Sequence, residues 1–339
     1  MGQSRRRPNR KGSGLARIET VDYHTAGEPF RIVTGGVPPL EGGTILEKRR
    51  FAAERLDDIR RLLVYEPRGH ADMYGCFVTE PEDGGADLGV VFFHNAGYST
   101  ACGHGTIALV TWAIESGQVA GRGSEVRVVV DVPSGRLETV ATLDDGRVAA
   151  VRFRNVPSFA LARGLEAAGV AADVAFGGAF YASVEAPIPV EPANVPRFIE
   201  LGREVKRELE QAHEFVHPLE PDLRDIYGVI LFERIESGPP LVQRNVTVFA
   251  DGEVDRSPCG SGTSARLALL DVDGELSRGA ELLHRSVIGT EFRARVVGDA
   301  EVDGTPAVIT EVEGSAHYTG RHEFALDPAD PLGEGFLLR

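Results

Sequence analysis

Two similar stretches, Ala-Cys-Gly-His-Gly-Thr-Ile-Ala-Leu at residues 101–109 and Pro-Cys-Gly-Ser-Gly-Thr-Ser-Ala-Arg-Leu at residues 258–267, decide the fold of this chain. Each contains Cys-Gly-x-Gly-Thr and continues into small and apolar residues that favour a helix. The two are separated by nearly half of the 339 residues. This spacing predicts two similar lobes, with Cys102 and Cys259 facing one another across a small substrate.

The segments around the two cysteine turns predict an α/β (α+β) fold with mostly antiparallel sheets. Each half carries short β-like runs, one long helical window (residues 44–63 and 193–213), then a strand, the cysteine turn and a short helix. The turns are too short for repeated parallel crossovers, and the internal duplication favours two lobes. We expect lobe 1 over residues 16–135, completed by 325–339, and lobe 2 over residues 136–324.

Composition excludes several classes of protein. The net charge of −15 argues against a nucleic-acid-binding surface, and no apolar run reaches the ~18 residues that span a bilayer. Three cysteines are too few, and odd in number, for a disulfide framework, which favours a reducing cytoplasm. Residues 1–15 carry five cations and no acid, so we predict a disordered basic extension without a secretory signal.

A cysteine at the start of a helix is suited to acid–base chemistry. The helix dipole and free amides stabilise a thiolate, so we expect a thiol pKa below the usual ~8.5. Two equivalent thiols can act on opposite faces of one carbon, one removing a proton and the other delivering one, which inverts the centre. Helix-end amides would stabilise the carbanion, so no cofactor is expected. His104 and Asp255 are placed to bind a substrate ammonium or to tune the thiols.

Two other roles for the cysteines are a structural role for Cys76 and metal binding at the two cysteine turns. Cys76 is interpreted as a small buried hydrophobe. Metal binding needs further ligands at short spacing, and apart from the pair Cys102 and His104 neither cysteine turn has one, so no metal site is expected.

From about residue 18 to the C-terminus the chain resembles the proline racemase family. The resemblance rests on Asp-Tyr-His-Thr-Ala-Gly-Glu at residues 22–28, on residues 66–75, on both cysteine turns and on residues 330–336. It implies the fold of diaminopimelate epimerase, with two pseudo-symmetric lobes that each wrap a mostly antiparallel, barrel-like sheet around a central helix. It also implies a two-base mechanism without cofactor, a cleft that closes on substrate, and a homodimer.

The resemblance assigns roles to seven residues. Cys102 and Cys259 would be the catalytic acid and base. The substrate would be bound by Gly103, His104, Asp255, Gly260 and Ser261, with Asp255 on its ring nitrogen.

These features together predict a cytoplasmic racemase that interconverts L- and D-proline. A 4-hydroxyproline 2-epimerase is the first alternative and a trans-3-hydroxy-L-proline dehydratase the second. In such dehydratases the second cysteine is usually threonine, so Cys259 favours inversion. Ala71 and Ala101 depart from the racemase pattern and leave the ring substituent open. A relative that binds an imino acid without turnover is the alternative from a different class.

Overall fold

A computed structural model describes residues 17–338, so the predicted basic extension of residues 1–15 lies outside the described part. Five helices, α1 to α5 in chain order, occupy Ile45–Arg55, Asp57–Val64, Gly103–Glu115, Val195–Ala212 and Gly260–Val272. Eighteen strands, β1 to β18, occupy Arg17–Thr25, Glu28–Gly35, Tyr74–Thr79, Leu88–His94, Gly97–Tyr98, Glu125–Val132, Gly135–Asp144, Arg147–Arg154, Phe159–Ala167, Val170–Phe176, Phe180–Glu185, Ile226–Glu236, Leu241–Phe249, Glu253–Asp255, Leu282–Ser286, Glu291–Val302, Thr305–Gly314 and Ala316–Ala325.

Strand pairing repeats in the two halves of the chain. From β1 the neighbours run β2, β3, β4, β6, β7 and β8, with parallel pairing only at β2–β3 and β4–β6. From β10 they run β11, β12, β13, β15, β16 and β17, with parallel pairing only at β11–β12 and β13–β15. Each half therefore has the same order of strand orientations, and the molecule is built from two pseudo-symmetric lobes.

The outer strands show how the lobes are joined. Strand β18 pairs with β1 as β9 pairs with β10, and β8 pairs with β17 across the two lobes. The domain boundary at residue 135/136 stays a prediction. Because β7 and β8 continue the sheet of β6, we propose a boundary between β8 and β9 instead, with β18 completing lobe 1.

Each lobe has one central helix. Every residue of α3 from Gly103 to Ile114 is buried, and so is every residue of α5 from Gly260 to Leu270. A helix buried on all sides lies inside a core, and the buried Arg266 of α5 is accommodated there by a hydrogen bond of 3.0 Å to Gln243. By contrast, α4 is amphipathic and buries Phe198, Gly202, Val205 and Leu209 on one face. Each cysteine turn therefore lies where the chain enters the core of its lobe.

The predicted helical window at residues 44–63 is two helices rather than one. Thr44 caps α1 in a capping box with Glu47, and Leu56 then leaves the helical region with φ −122° and ψ 13°. The break lets both α1 and α2 pack against β4. No helix in the described range is long and apolar enough to cross a membrane.

Candidate active site

The first residues of α3 and α5 touch where the lobes meet. A Cβ added to Gly103 would lie 2.5 Å from Cα of Gly260, and one added to Gly260 would lie 2.7 Å from Cα of Gly103. The obstacle is backbone on both sides, so no side chain fits at either position. The two helix N-termini thus abut, and Cys102 and Cys259, the residues immediately before them, flank this junction.

The two thiols are buried and have different neighbours. Each cysteine is 6% exposed. The Sγ of Cys102 accepts a hydrogen bond of 3.2 Å from the Gly105 amide and lies 3.5 Å from Nε2 of His104. The Sγ of Cys259 lies 3.7 Å from the Tyr181 hydroxyl, which is 2.7 Å from the hydroxyl of Ser261.

Burial dominates the ionisation of both thiols. It raises the pKa of Cys102 well above its usual value, although the Gly105 amide opposes the shift. Burial, followed by the charge of Asp255, raises the pKa of Cys259 to about 12. The expectation of a lowered thiol pKa is therefore wrong for this structure. A few helix-end amides do not offset the loss of water around a charged sulfur.

Two carboxyl groups lie beside the junction. Asp255 is buried in β14 and accepts a hydrogen bond of 2.7 Å from the Ser257 amide, and burial raises its pKa to about 6. Glu28 accepts a hydrogen bond of 2.7 Å from the Arg256 amide through Oε2, while its buried Oε1 has no hydrogen-bond partner among the described residues. Burial and the charge of Asp255 raise the pKa of Glu28 well above its usual value.

His104 connects the first thiol to this acidic pair. Its Nδ1 is 3.9 Å from Oδ2 of Asp255 and 3.6 Å from Sγ of Cys102. Burial lowers the pKa of His104 to about 3, so the imidazole is neutral and the contact with Asp255 is not an ion pair. The ring packs edge-on against Phe30 and Tyr74, which fixes its orientation.

A group of hydroxyls completes the site and was missed by the sequence analysis. The Tyr74 hydroxyl donates to Ser99 and lies 2.9 Å from the Tyr227 hydroxyl. Burial raises the pKa of Tyr74 well above its usual value, and the charges of Cys102 and Cys259 act in the same direction. Tyr74 also packs against His104, the neighbour of the first thiol, with ring centroids 4.9 Å apart.

Some of the missed residues left a signal in the sequence. Glu28 and Tyr74 both lie in stretches that carry the family resemblance, residues 22–28 and 66–75. Tyr181 and Tyr227 are ordinary aromatic residues of predicted strands, and nothing in their local sequence distinguishes them.

A cavity of about 1020 Å³ lies between the lobes next to these hydroxyls. Ser99 and Thr100 line it from one lobe, and Ala179 and Tyr227 line it from the other. The Thr100 hydroxyl donates a hydrogen bond of 2.9 Å to the Gly178 carbonyl, so the two lobes touch at this edge.

All seven residues singled out from the sequence lie at or beside the helix junction: Cys102, Gly103, His104, Asp255, Cys259, Gly260 and Ser261. Cys76 does not join them, and lies fully buried in the lobe 1 core. Within residues 17–338, no group of three His, Cys, Asp or Glu residues is arranged to hold a metal ion.

The structure thus has two pseudo-symmetric lobes whose central helices abut at their N-termini, with one buried thiol immediately before each helix. The family model described as proline racemase matches residues 20–337. The chain belongs to the proline racemase family, as the sequence motifs predicted.

Two relatives are similar over nearly the whole chain. A 3-hydroxyproline 2-epimerase of Burkholderia multivorans and a trans-3-hydroxy-L-proline dehydratase of Burkholderia ambifaria are each 47% identical over 330 residues. Each match covers 95% of this chain and 98% of the relative. These relatives and the family show an enzyme of the racemase and epimerase type.

Solved structures confirm the predicted two-lobe fold. A hydroxyproline epimerase from Agrobacterium vitis, with bound trans-4-hydroxy-L-proline, superposes with a TM-score of 0.88 at 32% identity. The match covers 95% of this chain and 96% of that one. A phenazine biosynthesis protein of the PhzF family from Bacillus anthracis shares the fold at a TM-score of 0.57 and 14% identity, over 91% of this chain and 99% of that one.

Proposed function

We propose that this enzyme inverts C2 of a hydroxyproline, and that its substrate is a 3-hydroxyproline. The observation that carries the proposal is the pair of buried thiols, Cys102 and Cys259, on either side of the junction between α3 and α5. Proline, the substrate predicted from the sequence, is less well supported, because two relatives at 47% identity are named for 3-hydroxyproline.

The proton transfer uses one thiolate and one thiol. The thiolate takes the α-proton from one face and becomes a thiol, while the opposing thiol gives its proton to the other face and becomes a thiolate. The reverse reaction starts from the exchanged protonation states. Because burial raises both thiol pKa values, each thiolate is a stronger base, which suits a weakly acidic α-hydrogen.

The two ends of the substrate are bound by different groups. The first amides of a helix have no intrahelical partners and favour an anion, so Gly103 and His104 of α3, with Gly260 and Ser261 of α5, would hold the carboxylate. These amides also stabilise the charge that spreads into the carboxylate when C2 is deprotonated. Asp255 would hold the ring ammonium, with the unpartnered Oε1 of Glu28 as a second acceptor.

The hydroxyls around the site support a hydroxylated ring. Tyr74, Tyr227 and Ser99 form one connected hydrogen-bond group next to the thiols. Such a group can exchange one of its internal hydrogen bonds for a bond to a substrate hydroxyl. A site lined only by apolar groups would favour unsubstituted proline instead.

Dehydration of trans-3-hydroxy-L-proline is the second candidate, because the relative with that name is as similar as the epimerase. Both reactions begin with removal of the α-proton at C2. In dehydration the C3–O bond then breaks, the hydroxyl leaves as water with a proton from a protein acid such as the thiol that took the α-proton, and no proton is returned to the opposite face of C2. A pair of cysteines favours epimerisation for this reason.

The test is incubation of reduced enzyme with trans-3-hydroxy-L-proline in D2O, followed by proton NMR. We expect the C2 proton to exchange for deuterium and the C2 epimer to appear with its hydroxyl retained. Proline and 4-hydroxyproline serve as comparison substrates and should react more slowly. Loss of the C3 hydroxyl would establish the dehydratase. If none of the three exchanged deuterium at C2, the chain would be a binding protein rather than a catalyst.

The assembly and location of the protein are also proposals. We infer a cytoplasmic homodimer from the family and from the three free, buried cysteines, Cys76, Cys102 and Cys259. Light scattering on the purified protein should give twice the mass of one 36.4 kDa chain.

A further inference from the structure

The peptide bond between Pro258 and Cys259 is hydrogen-bonded both at its N–H group and at its carbonyl group. Cys259 has φ 64° and ψ 101°, a backbone conformation that residues other than glycine rarely adopt. Its amide donates a hydrogen bond of 3.1 Å to Oγ of Ser257. On the opposite edge, the carbonyl of Pro258 accepts hydrogen bonds from Nδ2 of Asn245 at 3.1 Å and Oγ1 of Thr263 at 3.2 Å. Three hydrogen bonds therefore fix the plane from which the Cys259 side chain projects.

The two residues that donate to the Pro258 carbonyl, Asn245 and Thr263, both contact one buried histidine, His284. Nε2 of His284 lies 2.8 Å from Nδ2 of Asn245, and its Nδ1 lies 2.8 Å from Oγ1 of Thr263. His284 is in β15, with no exposed surface. It reaches the first turn of α5 through Thr263.

The hydrogen-bond partners assign the imidazole tautomer. The amide nitrogen of Asn245 can only donate, so Nε2 of His284 accepts and Nδ1 carries the hydrogen. Nδ1 then donates to Thr263, which leaves the Thr263 hydroxyl hydrogen for the Pro258 carbonyl. Burial lowers the pKa of His284 to about 3, so the ring stays neutral and this order of donors persists.

Asn245 is also held at its other end. Its Oδ1 accepts a hydrogen bond of 3.4 Å from the Thr247 hydroxyl, so both ends of the Asn245 amide are fixed. Thr247 lies close enough to the second thiol to lower the pKa of Cys259 against the larger effect of burial.

Cys102 is held in a different way. It has φ −155° and ψ 98°, an ordinary extended conformation, and its own sulfur accepts the Gly105 amide as a helix cap. The turn is supported by Thr25, whose hydroxyl donates a hydrogen bond of 2.9 Å to the His104 carbonyl. No strained peptide has to be fixed on this side.

We propose that His284 is a positioning residue for Cys259: through Asn245 and Thr263 it holds the Pro258–Cys259 peptide so that the thiol faces C2 of the substrate. The inference rests on the proposed two-face proton transfer. Its consequence is one-sided, because the His284 network supports the second thiol and not the first.

The experiment measures deuterium exchange at C2 separately for the two C2 epimers of 3-hydroxyproline. In His284→Leu, exchange of the epimer whose proton faces Cys259 should fall by about 100-fold, the loss typical of a ~1 Å misplacement, through kcat rather than KM. Exchange of the other epimer should stay near the wild-type rate. His284→Asn can place an amide near the position of Nδ1 and donate to Thr263, so it should restore part of the lost rate.

Thr25→Val is the matched control for the first thiol. It removes the hydrogen bond to the His104 carbonyl and should reduce exchange of the opposite epimer. Equal losses for both epimers in His284→Leu, or no loss for either, would overturn the positioning role. If that variant does not fold, Thr263→Val removes one of the two donors to the Pro258 carbonyl and should give the same one-sided loss in milder form.

A second readout separates this inference from the proposed function. The rates at which iodoacetamide alkylates Cys102 and Cys259 can be followed by mass spectrometry without any substrate. His284→Leu should change the rate for Cys259 and leave Cys102 unchanged, and equal changes at both would contradict the inference. If the wild-type enzyme exchanged neither epimer, the proposed function would fail, while the alkylation result would still decide the role of His284.

Discussion

The two cysteine turns share a sequence pattern but not a conformation. Cys102 is extended and caps its helix with its own sulfur, whereas Cys259 has φ 64°, a conformation rare for residues other than glycine. Cys102 lies beside a neutral imidazole, and Cys259 lies beside a tyrosine hydroxyl. The two pseudo-symmetric lobes thus place equivalent thiols in different surroundings.

Equivalent positions in the two lobes show why the difference is useful. Asp255 stands four residues before Cys259, and Tyr98 stands four residues before Cys102. The Asp255 carboxylate lies 3.9 Å from Nδ1 of His104 at the junction, while the Tyr98 hydroxyl donates a hydrogen bond of 3.0 Å to the Ala52 carbonyl in α1. In the proposed function the substrate has a single ring nitrogen, so one carboxylate on one side of the pseudo-symmetric site would orient it.

Removing either thiol should have the largest effect. Cys102→Ser and Cys259→Ser should each slow inversion by about 10²- to 10⁴-fold, because an alcohol is a poor replacement for a thiol as acid or base. Polarimetry and NMR of the C2 epimers would measure the loss. Cys76→Ala is the control and should retain turnover, since Cys76 lies in the lobe 1 core. Full inversion by either serine variant would disprove the two-thiol mechanism.

The pair Asp255→Asn and Tyr98→Phe compares the equivalent positions directly. Asp255→Asn loses a charged hydrogen bond to the substrate ammonium, which corresponds to a decrease of about 10- to 100-fold in kcat/KM, mainly through KM. Tyr98→Phe loses a hydrogen bond to the protein alone and should leave kinetics unchanged. Steady-state kinetics on both variants would measure this, and similar losses in the two would show that Asp255 has no special part in orienting the substrate.

Substitutions at the helix junction should reduce stability. Gly103→Ala and Gly260→Ala each place a Cβ within 2.7 Å of the opposing backbone. Overpacking of this kind costs about 1–3 kcal/mol of the free energy of unfolding, measured by denaturant titration. Gly84→Ala is the control, because a Cβ there meets nothing within 4 Å. A junction variant as stable as the control would show that the two helices do not abut.

The smallest effect concerns pH. The pKa of Cys259 is raised by burial to about 12, so the folded protein holds its thiol proton more tightly than the unfolded chain, whose thiol pKa is ~8.5. This contribution to stability is complete below pH ~8.5 and is lost as pH rises toward 12.

Cys259→Ser removes this titration. Its free energy of unfolding should therefore fall less steeply than that of the wild type above pH ~8.5, by up to ~1.4 kcal/mol per pH unit. Urea titrations at a series of pH values would measure the difference. Parallel curves for the two proteins would mean that the Cys259 thiol has an ordinary pKa in the folded state.

Local sequence predicted much of the architecture. The cysteine turns lie at helix starts, as their glycines and the following apolar residues indicated, and the window at residues 193–213 contains α4. The break at Leu56 was not predicted, because the apolar spacing continues through it. The C-terminal residues 325–339 were expected to complete lobe 1, but residues 316–324 were assigned to lobe 2, so the pairing of β18 with β1 was not predicted; a contact between distant segments leaves no local pattern.

The candidate site divides in the same way. Cys102, Cys259 and Asp255 could be selected from their motifs, and Tyr74 lies in one of the family stretches, but Tyr181 and Tyr227 could not be selected, because an aromatic residue in a strand is usually core. The direction of the thiol pKa shifts was mispredicted for a related reason. Helix-end amides act locally, whereas desolvation depends on what the whole fold packs around the sulfur.

The sequence by itself determined that there are two lobes, that each carries one thiol at a helix start, and that the chain belongs to a family acting on proline-like substrates. Only the tertiary structure decided that the two helices touch at Gly103 and Gly260 and that both thiols are buried. It also decided that His284 contacts Asn245, which binds the peptide next to the second thiol. Helix starts follow from interactions between residues a few positions apart. Burial and long-range hydrogen bonds depend on segments that meet only when both lobes have folded.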